Sequence, residues 1–251
     1  MEASDKLLIS KINDLFRLCQ KHATAKFSAF LDGGEIATIQ ETAIFPYGFN
    51  TMFFGGFEES ECKMLGVFPE WSECHIGEFP IKALKISGLF TKPLTHRDYL
   101  GSLLSLGIER NKLGDIVIME DNCAICFVSE DIAPYICQNL TKIGNQGVHI
   151  GEADMSEAQE IKRKYQRLEL VCASMRTDAV VSAITKLSRQ KSAELISADK
   201  VKVNHRIIND NSKLVKVGDL LSIRGFGRFV IADEGAKTRK DRQHISVDKY
   251  L

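Results

Sequence analysis

No run of apolar residues in this sequence approaches the about 18 that a membrane-spanning helix needs, so no segment is expected to cross a bilayer as a helix. The first residues, MEASDKLLISK, place acids where a secretory leader carries basic groups, and the apolar run behind them is only Leu7-Leu8-Ile9. The expectation is a cytoplasmic protein. Cysteines, at 19, 62, 74, 123, 126, 137 and 172, are odd in number and scattered, for which reduced cytosolic thiols are the simplest reading. Phosphate loops and dinucleotide turns are also missing. Gly55-Gly56 and Gly225-Phe226-Gly227 have neither the Lys-Ser/Thr ending of the one nor the spacing of the other, so both read as plain turns and no cofactor is expected.

Net charge is absent in total but not locally. Lys plus Arg and Asp plus Glu each number 33. Residues 1–80 hold 6 basic and 12 acidic side chains, 81–175 hold 11 and 12, and 176–242 hold 15 and 8, a gradient of −6, −1 and +7. The positive end predicts one surface that faces a polyanion. The acidic first segment, which shows no paired carboxylates or nucleophile motif, is expected to be a scaffold or a protein contact.

With 251 residues, 44% of them hydrophobic, the chain has material for two or three packed domains. Apolar spacing predicts a helix over 5–31 with a break near His22–Thr24, closed by Gly33-Gly34, and a second over Glu35–Ala43 stopped before Pro46. TMFFGGF (51–57) reads as a buried strand and EESECKMLGVF (58–68) as a helix on it. Together, 1–80 form an expected α/β domain.

Residues 81–170 are more regular. IKALKISGLF (81–90) is a strand. LTHRDYLGSLLSLG (94–107) is a helix with a Thr95/Asp98 capping box, a buried stripe of Leu100, Leu103 and Leu104, and Gly107 as its stop. DIVIMED (115–121) and CAICFVS (123–129) are strands joined by a turn at Asp121-Asn122; Ser129 caps a helix over 130–141, and GVHIG (147–151) is the last strand. The order βαββαβ is that of a ferredoxin-like, RNA-recognition-motif-like domain. Base stacking on such a sheet needs several aromatics, and CAICFVS offers only Phe127, so this sheet is not expected to grip single strands. Residues 153–168 look charged and helical, with Leu170–Cys172 as a short linking strand.

Two constellations in this part imitate sites. Cys123-x-x-Cys126 has zinc-knuckle spacing, with Cys74-His75 available to complete four ligands, but side chains three apart on a strand diverge, so no metal is expected. His96, Arg97 and Asp98 imitate a catalytic triplet, yet capping explains the spacing. His96 and Arg97 are left at a helix N-terminus as a candidate secondary RNA contact.

The remaining segment, 171–251, carries the basic charge in an ordered pattern. Asp178–Leu187 predicts a helix with Val180, Ile184 and Leu187 inward, and Ser188 caps a second over Arg189–Ser197. Arg189 and Lys191 fall in the first turn of that helix, where free N–H groups already favour an anion. KVKVN alternates Val201 and Val203 inward with Lys200 and Lys202 outward; Val217-Gly218-Asp219 turns into LLSIR, and Arg228 follows a glycine hairpin.

The pattern R-x-D-x-x-V…S-R-x-x-S…L-I…K-V-x-V-N…V-G-D resembles the S4 RNA-binding domain over about 55 residues. It implies an RNA surface made of Arg176, Ser188, Arg189, Lys191, Lys200, Lys202 and Asn204, with Arg206 and Arg228 beside them. Asp199 and His205 stand where many such domains have glycine, at turns where a left-handed backbone is expected. Residues 94–116, with FFGGFEESECK (53–63), extend the resemblance to the YlmH-like family of bacterial RNA-binding proteins over nearly the whole chain. That resemblance implies an α+β chain of three small domains, 1–80, 81–170 and 171–251. It also implies a link to cell-division gene neighbourhoods, and a non-enzymatic role on structured rRNA or tRNA at the large ribosomal subunit, beside peptidyl-tRNA, in quality control. The alternative is an RNA-modifying enzyme anchored by the S4 domain. A pseudouridine synthase, however, needs an Arg-Leu-Asp motif in a large catalytic domain, and a methyltransferase needs a Gly-rich cofactor turn.

Overall fold

A computed structural model of the chain describes residues 3–119, 123–159, 161–162, 164–238 and 241–250. It divides into two compact units, Met1–Lys162 and Arg163–Leu251. No helix among the described residues is long and apolar enough to cross a membrane.

The first unit opens with α1 (Ala3–His22), which buries Ile12, Phe16 and Cys19, spaced four and three apart. The helix does not resume up to residue 31. Ala23 takes φ 52°, and the chain leaves into β1 (Lys26–Phe27), where Phe27 pairs with Gly66. Gly33-Gly34 start α2 (Gly33–Thr42) instead of closing α1. Asp32 accepts from the Glu35 N–H at 2.9 Å while the Glu35 carboxylate accepts from the Asp32 N–H at 2.8 Å, a capping box that tolerates two glycines in the first turn. β2 (Phe49–Phe54) then pairs with β3 (Met64–Pro69), which replaces the helix expected over 58–68. All six β3 residues are buried, so the alternation that marks a half-exposed strand is missing. The sheet order is β1-β3-β2.

The same unit continues with β4 (Ile81–Ser87), α3 (His96–Ser105), β5 (Leu113–Ile118) and β6 (Cys123–Ser129). It ends with α4 (Ala133–Asn139), the short pair β7 (Lys142–Ile143) and β8 (Gln146–Gly147), β9 (His149–Glu152) and α5 (Met155–Gln159). The sheet order β5-β6-β4-β9, all neighbours antiparallel, is the split βαβ arrangement of a ferredoxin-like domain. The turn expected at Asp121-Asn122 lies outside the described residues. The capping box of α3 is present, but the face it buries carries Tyr99 and Leu103, four apart; Leu104 is 37% exposed and Leu100 only half-buried. Ser129 makes no side-chain cap. A 3₁₀ turn, Glu130–Ile132, comes first, and α4 follows with Pro134 in its first turn, where a missing N–H costs nothing.

β6 has a core on each side. Ala124, Cys126 and Val128 pack with Tyr99, Leu103 and Ile136 of the helical layer. Ile125 and Phe127 face Phe30, Phe57, Met64, Phe68 and Phe79 of the N-terminal segment. Phe127 is fully buried and stacks on Phe57 with centroids 5.1 Å apart and planes at 21°. The seam also has a polar stitch. The buried Asp115 carboxylate accepts from the Glu61 N–H at 2.5 Å, and Arg110 donates to the Leu113 carbonyl and to Cys62 Sγ.

The second unit consists of β10 (Tyr165–Cys172), α6 (Thr177–Thr185), α7 (Arg189–Ser197), β11 (Val201–Val203), β12 (Arg206–Ile207), β13 (Leu220–Ile223), β14 (Gly227–Lys237) and β15 (Gln243–Tyr250). Residues 165–168, expected as helix, open β10, which pairs along its whole length with β15. The sheet runs β10-β15-β14-β13-β11-β12. Val180, Ile184 and Ile196 of the two helices pack on Val201, Leu221, Phe229, Ile231, Ile245 and Val247. Leu187 is only half-buried, because Lys186 at φ 58° has already ended α6.

Candidate nucleic-acid interface

Asp178 organises the start of the basic surface. It sits in the first turn of α6, only 6% exposed, yet it is charged and flanked by two arginines. Arg176 donates from Nε to Oδ1 at 3.2 Å and from Nη2 to Oδ2 at 3.4 Å; Arg189 donates from Nη2 to Oδ2. Burial opposes the charged form, but the hydrogen bonds from the two guanidinium groups outweigh it and hold the Asp178 carboxyl below its ordinary value. The fixed arginines remain open to solvent, with side chains 42% and 52% exposed.

Ser188 caps α7 as its position predicts, accepting from the Lys191 N–H at 3.3 Å. Arg189 and Lys191 are both exposed in the first turn, where the helix end and two cations favour the same negative ligand.

The other end of α7 is a Schellman motif. The Lys200 N–H donates to the Leu195 carbonyl at 3.0 Å and the Asp199 N–H to that of Ile196 at 3.1 Å, with Asp199 at φ 55° in the place glycine usually takes. The next turn is a two-residue hairpin between Val203 and Arg206, and both of its central residues are left-handed, Asn204 at φ 50° and His205 at φ 68°. Both non-glycine substitutions thus occupy the backbone region expected for them. Lys200 and Lys202 stand exposed on either side of the buried Val201.

Asn204 is held within the fold. Its Nδ2 donates to Asp219 Oδ1 at 2.8 Å and its Oδ1 accepts from the Leu220 N–H at 2.9 Å, while Asp219 Oδ2 accepts from the Lys216 N–H. The spaced pattern V-N…V-G-D therefore records one hydrogen-bonded lock between two turns, and R-x-D…S-R records another. Arg206 is exposed in β12, and Arg228 lies 4.9 Å over the Tyr250 ring.

Two exposed cations join this surface that local patterns did not single out. Thr177 donates from N and Oγ1 to the Lys213 carbonyl at 2.8 Å, which lays the 209–214 loop against the start of α6. The Arg224 N–H donates to the Lys200 carbonyl at 2.8 Å, bringing Arg224 beside Lys200. Only the fold makes these neighbours.

His96 and Arg97 lie exposed in the first turn of α3, in the other unit. That helix end already holds a carboxylate: Asp98 accepts from Thr95 N at 2.8 Å and Oγ1 at 2.7 Å, and these bonds keep its carboxyl below the usual range. Cys126 is buried and Cys123 half-buried, and no group of three or more His, Cys, Asp or Glu among the described residues could hold a metal ion. The sheet aromatic Phe127 is sealed under Phe57, so that face of β6 offers no ring to a base.

Residues 77–157 match the YlmH RNA-binding-domain family and residues 175–221 the S4 domain family. The chain is 30% identical over 247 residues, 98% of its length and 95% of the relative's, to the ribosome-associated protein quality control protein P2 of Bacillus subtilis. In structure it is similar to the cell division protein ylmH of Streptococcus pneumoniae, with a TM-score of 0.53 and 22% identity over 64% of this chain and 97% of that one.

Proposed function

Because the chain belongs to the YlmH family of S4-domain RNA-binding proteins, we propose that it holds structured RNA of the large ribosomal subunit together with bound tRNA, as a ribosome-associated quality-control factor. It works in the cytoplasm by binding alone, with no cofactor, and its segments 1–80, 81–170 and 171–251 act as contact, scaffold and RNA-gripping parts. The observation that carries this reading is the Ser188-capped start of α7, where Arg189 and Lys191 are exposed and Asp178 fixes the first of them. Such a surface fits phosphate groups at fixed spacing, as a folded RNA presents them. The kinship with a protein named for ribosome-associated quality control supports the choice of RNA.

Binding to purified large subunits carrying peptidyl-tRNA, followed across a salt series, tests it. Affinity falls with a log–log slope of roughly 0.7–0.9 per phosphate neutralised. Replacing Arg189 and Lys191 together by Ala lowers both affinity and slope; unchanged binding would remove the RNA from this surface.

A further inference from the structure

The N-terminal unit carries a surface that shares no residue with the proposed RNA surface. Ile44 is 89% exposed, Tyr47 104% and Trp71 78%. Single exposed apolar side chains need no explanation, but three large ones at one end of one sheet do. Phe49 and Pro69 are register partners, so the segment that enters β2 and the segment that leaves β3 emerge side by side. Asn50 fastens them, its Nδ2 donating to the carbonyls of Glu70 at 3.2 Å and Ser72 at 2.9 Å.

This exposure is built, not slack. Between Ile44 and Tyr47, Phe45 turns inward and packs on Phe16 with centroids 5.4 Å apart, Pro46 fixes its own φ, and Gly48 at φ 86° completes the bend. A loop anchored by an inward ring and stiffened by proline has little ordering entropy left to lose on binding. Trp and Tyr are also the residue types that dominate binding energy at protein interfaces.

The charges nearby select the partner. Glu41, Glu70 and Glu73 are exposed around the tip, in a segment with 12 acidic and 6 basic side chains. That environment repels RNA and anionic lipid and attracts lysine or arginine. We infer that the tip formed by Ile44, Tyr47 and Trp71 is a docking site for a basic protein segment that anchors apolar side chains on the two rings. The site shares no residue with the proposed RNA surface and survives if the RNA reading fails.

Trp71 is the sole tryptophan, so its emission reports directly on the tip. The full chain is titrated with a short amphipathic peptide of leucine and lysine, its leucine–glutamate counterpart, polyuridine RNA and phosphatidylglycerol vesicles. The leucine–lysine peptide shifts the emission to the blue, and Ile44→Ser with Tyr47→Ser weakens that binding by roughly tenfold or more. Glu70→Lys with Glu73→Lys leaves the rings in place and moves the preference to the leucine–glutamate peptide. Equal binding of both peptides, or full affinity in the serine variant, overturns the proposal. A shift caused by RNA or vesicles in place of the peptide also overturns it, as does one caused by raising the concentration of the chain alone.

Discussion

Arg189 donates to Asp178 across eleven residues of sequence, so a buried carboxylate holds one cation of the basic surface in position. Arg176 donates to both oxygens of the same carboxylate. Counting charges alone, removing an acid from an RNA-binding surface should tighten binding. The geometry gives the opposite expectation, because both guanidinium groups lose their anchor.

Asp178→Asn is therefore expected to weaken RNA binding and to cost about 1.5–3 kcal/mol of stability, the range for hydrogen bonds to charged groups. Denaturant unfolding and an RNA titration measure the two effects. The folded-state carboxyl lies below its unfolded value of about 3.9, so its contribution is present above that pH and disappears as pH falls through the lower folded value. The stability gap between wild type and Asp178→Asn thus closes in acid. A gap unchanged at pH 3 and below would count against an ionised Asp178.

Asp199→Gly is expected to tighten RNA binding. The residue occupies the left-handed position of a Schellman motif, where glycine is free of the strain a side chain meets, and it places a negative charge directly before Lys200. Melting temperature should hold or rise while affinity increases; a loss of either would show that the carboxylate has a structural task.

Gly56 sits at φ 104°, and a Cβ there would lie 2.2 Å from the Phe127 ring. Gly56→Ala should cost about 1–3 kcal/mol from overpacking alone. Calorimetry should show the loss in the unit holding residues 1–162 and leave the transition of residues 163–251 in place; a uniform shift of both would contradict the division into two units.

Burial pushes the Cys126 thiol up to about 12, and burial followed by the charge of Asp115 pushes Cys62 up to about 11. At pH 8 an alkylating reagent should modify the exposed Cys137 while Cys62 and Cys126 stay unlabelled until denaturant is added, as peptide mass spectrometry would record. Because their folded values are raised, these thiols favour the native state below the ordinary thiol value, and that contribution is lost as pH rises toward 11 and 12. A stability profile flat through that range would contradict it.

Legibility in the sequence followed the locality of the physics. The Thr95/Asp98 box, the Ser188 cap and the left-handed Asp199 and His205 depend on neighbours within a few residues, and all four stand where the sequence places them. β3 was hidden because both its faces are buried, so its apolar run has no alternation. Tyr99 escaped because a tyrosine carries a polar tip, while the more apolar Leu104 points outward. β10 opens with exposed, charged positions that have the composition of a solvated helix, and only its partner β15, some 80 residues away, makes it a strand. In the site, the exposed residues were readable as a motif. Their partners were not, since Asp178 and Asp219 hold exposed basic and polar side chains in place through hydrogen bonds that span 11 and 15 residues of sequence.

The stack of Phe57 on Phe127 also sets a timetable for the chain's own synthesis. Phe57 leaves the ribosome about 70 residues before the ring that covers it, some 4–14 s at about 5–20 residues per second. Throughout that interval Phe30, Phe57 and Phe68 have no β6 to close on. The nascent N-terminal segment thus exposes these rings until β6 is made, and a chain truncated after residue 80 should aggregate where the full chain does not.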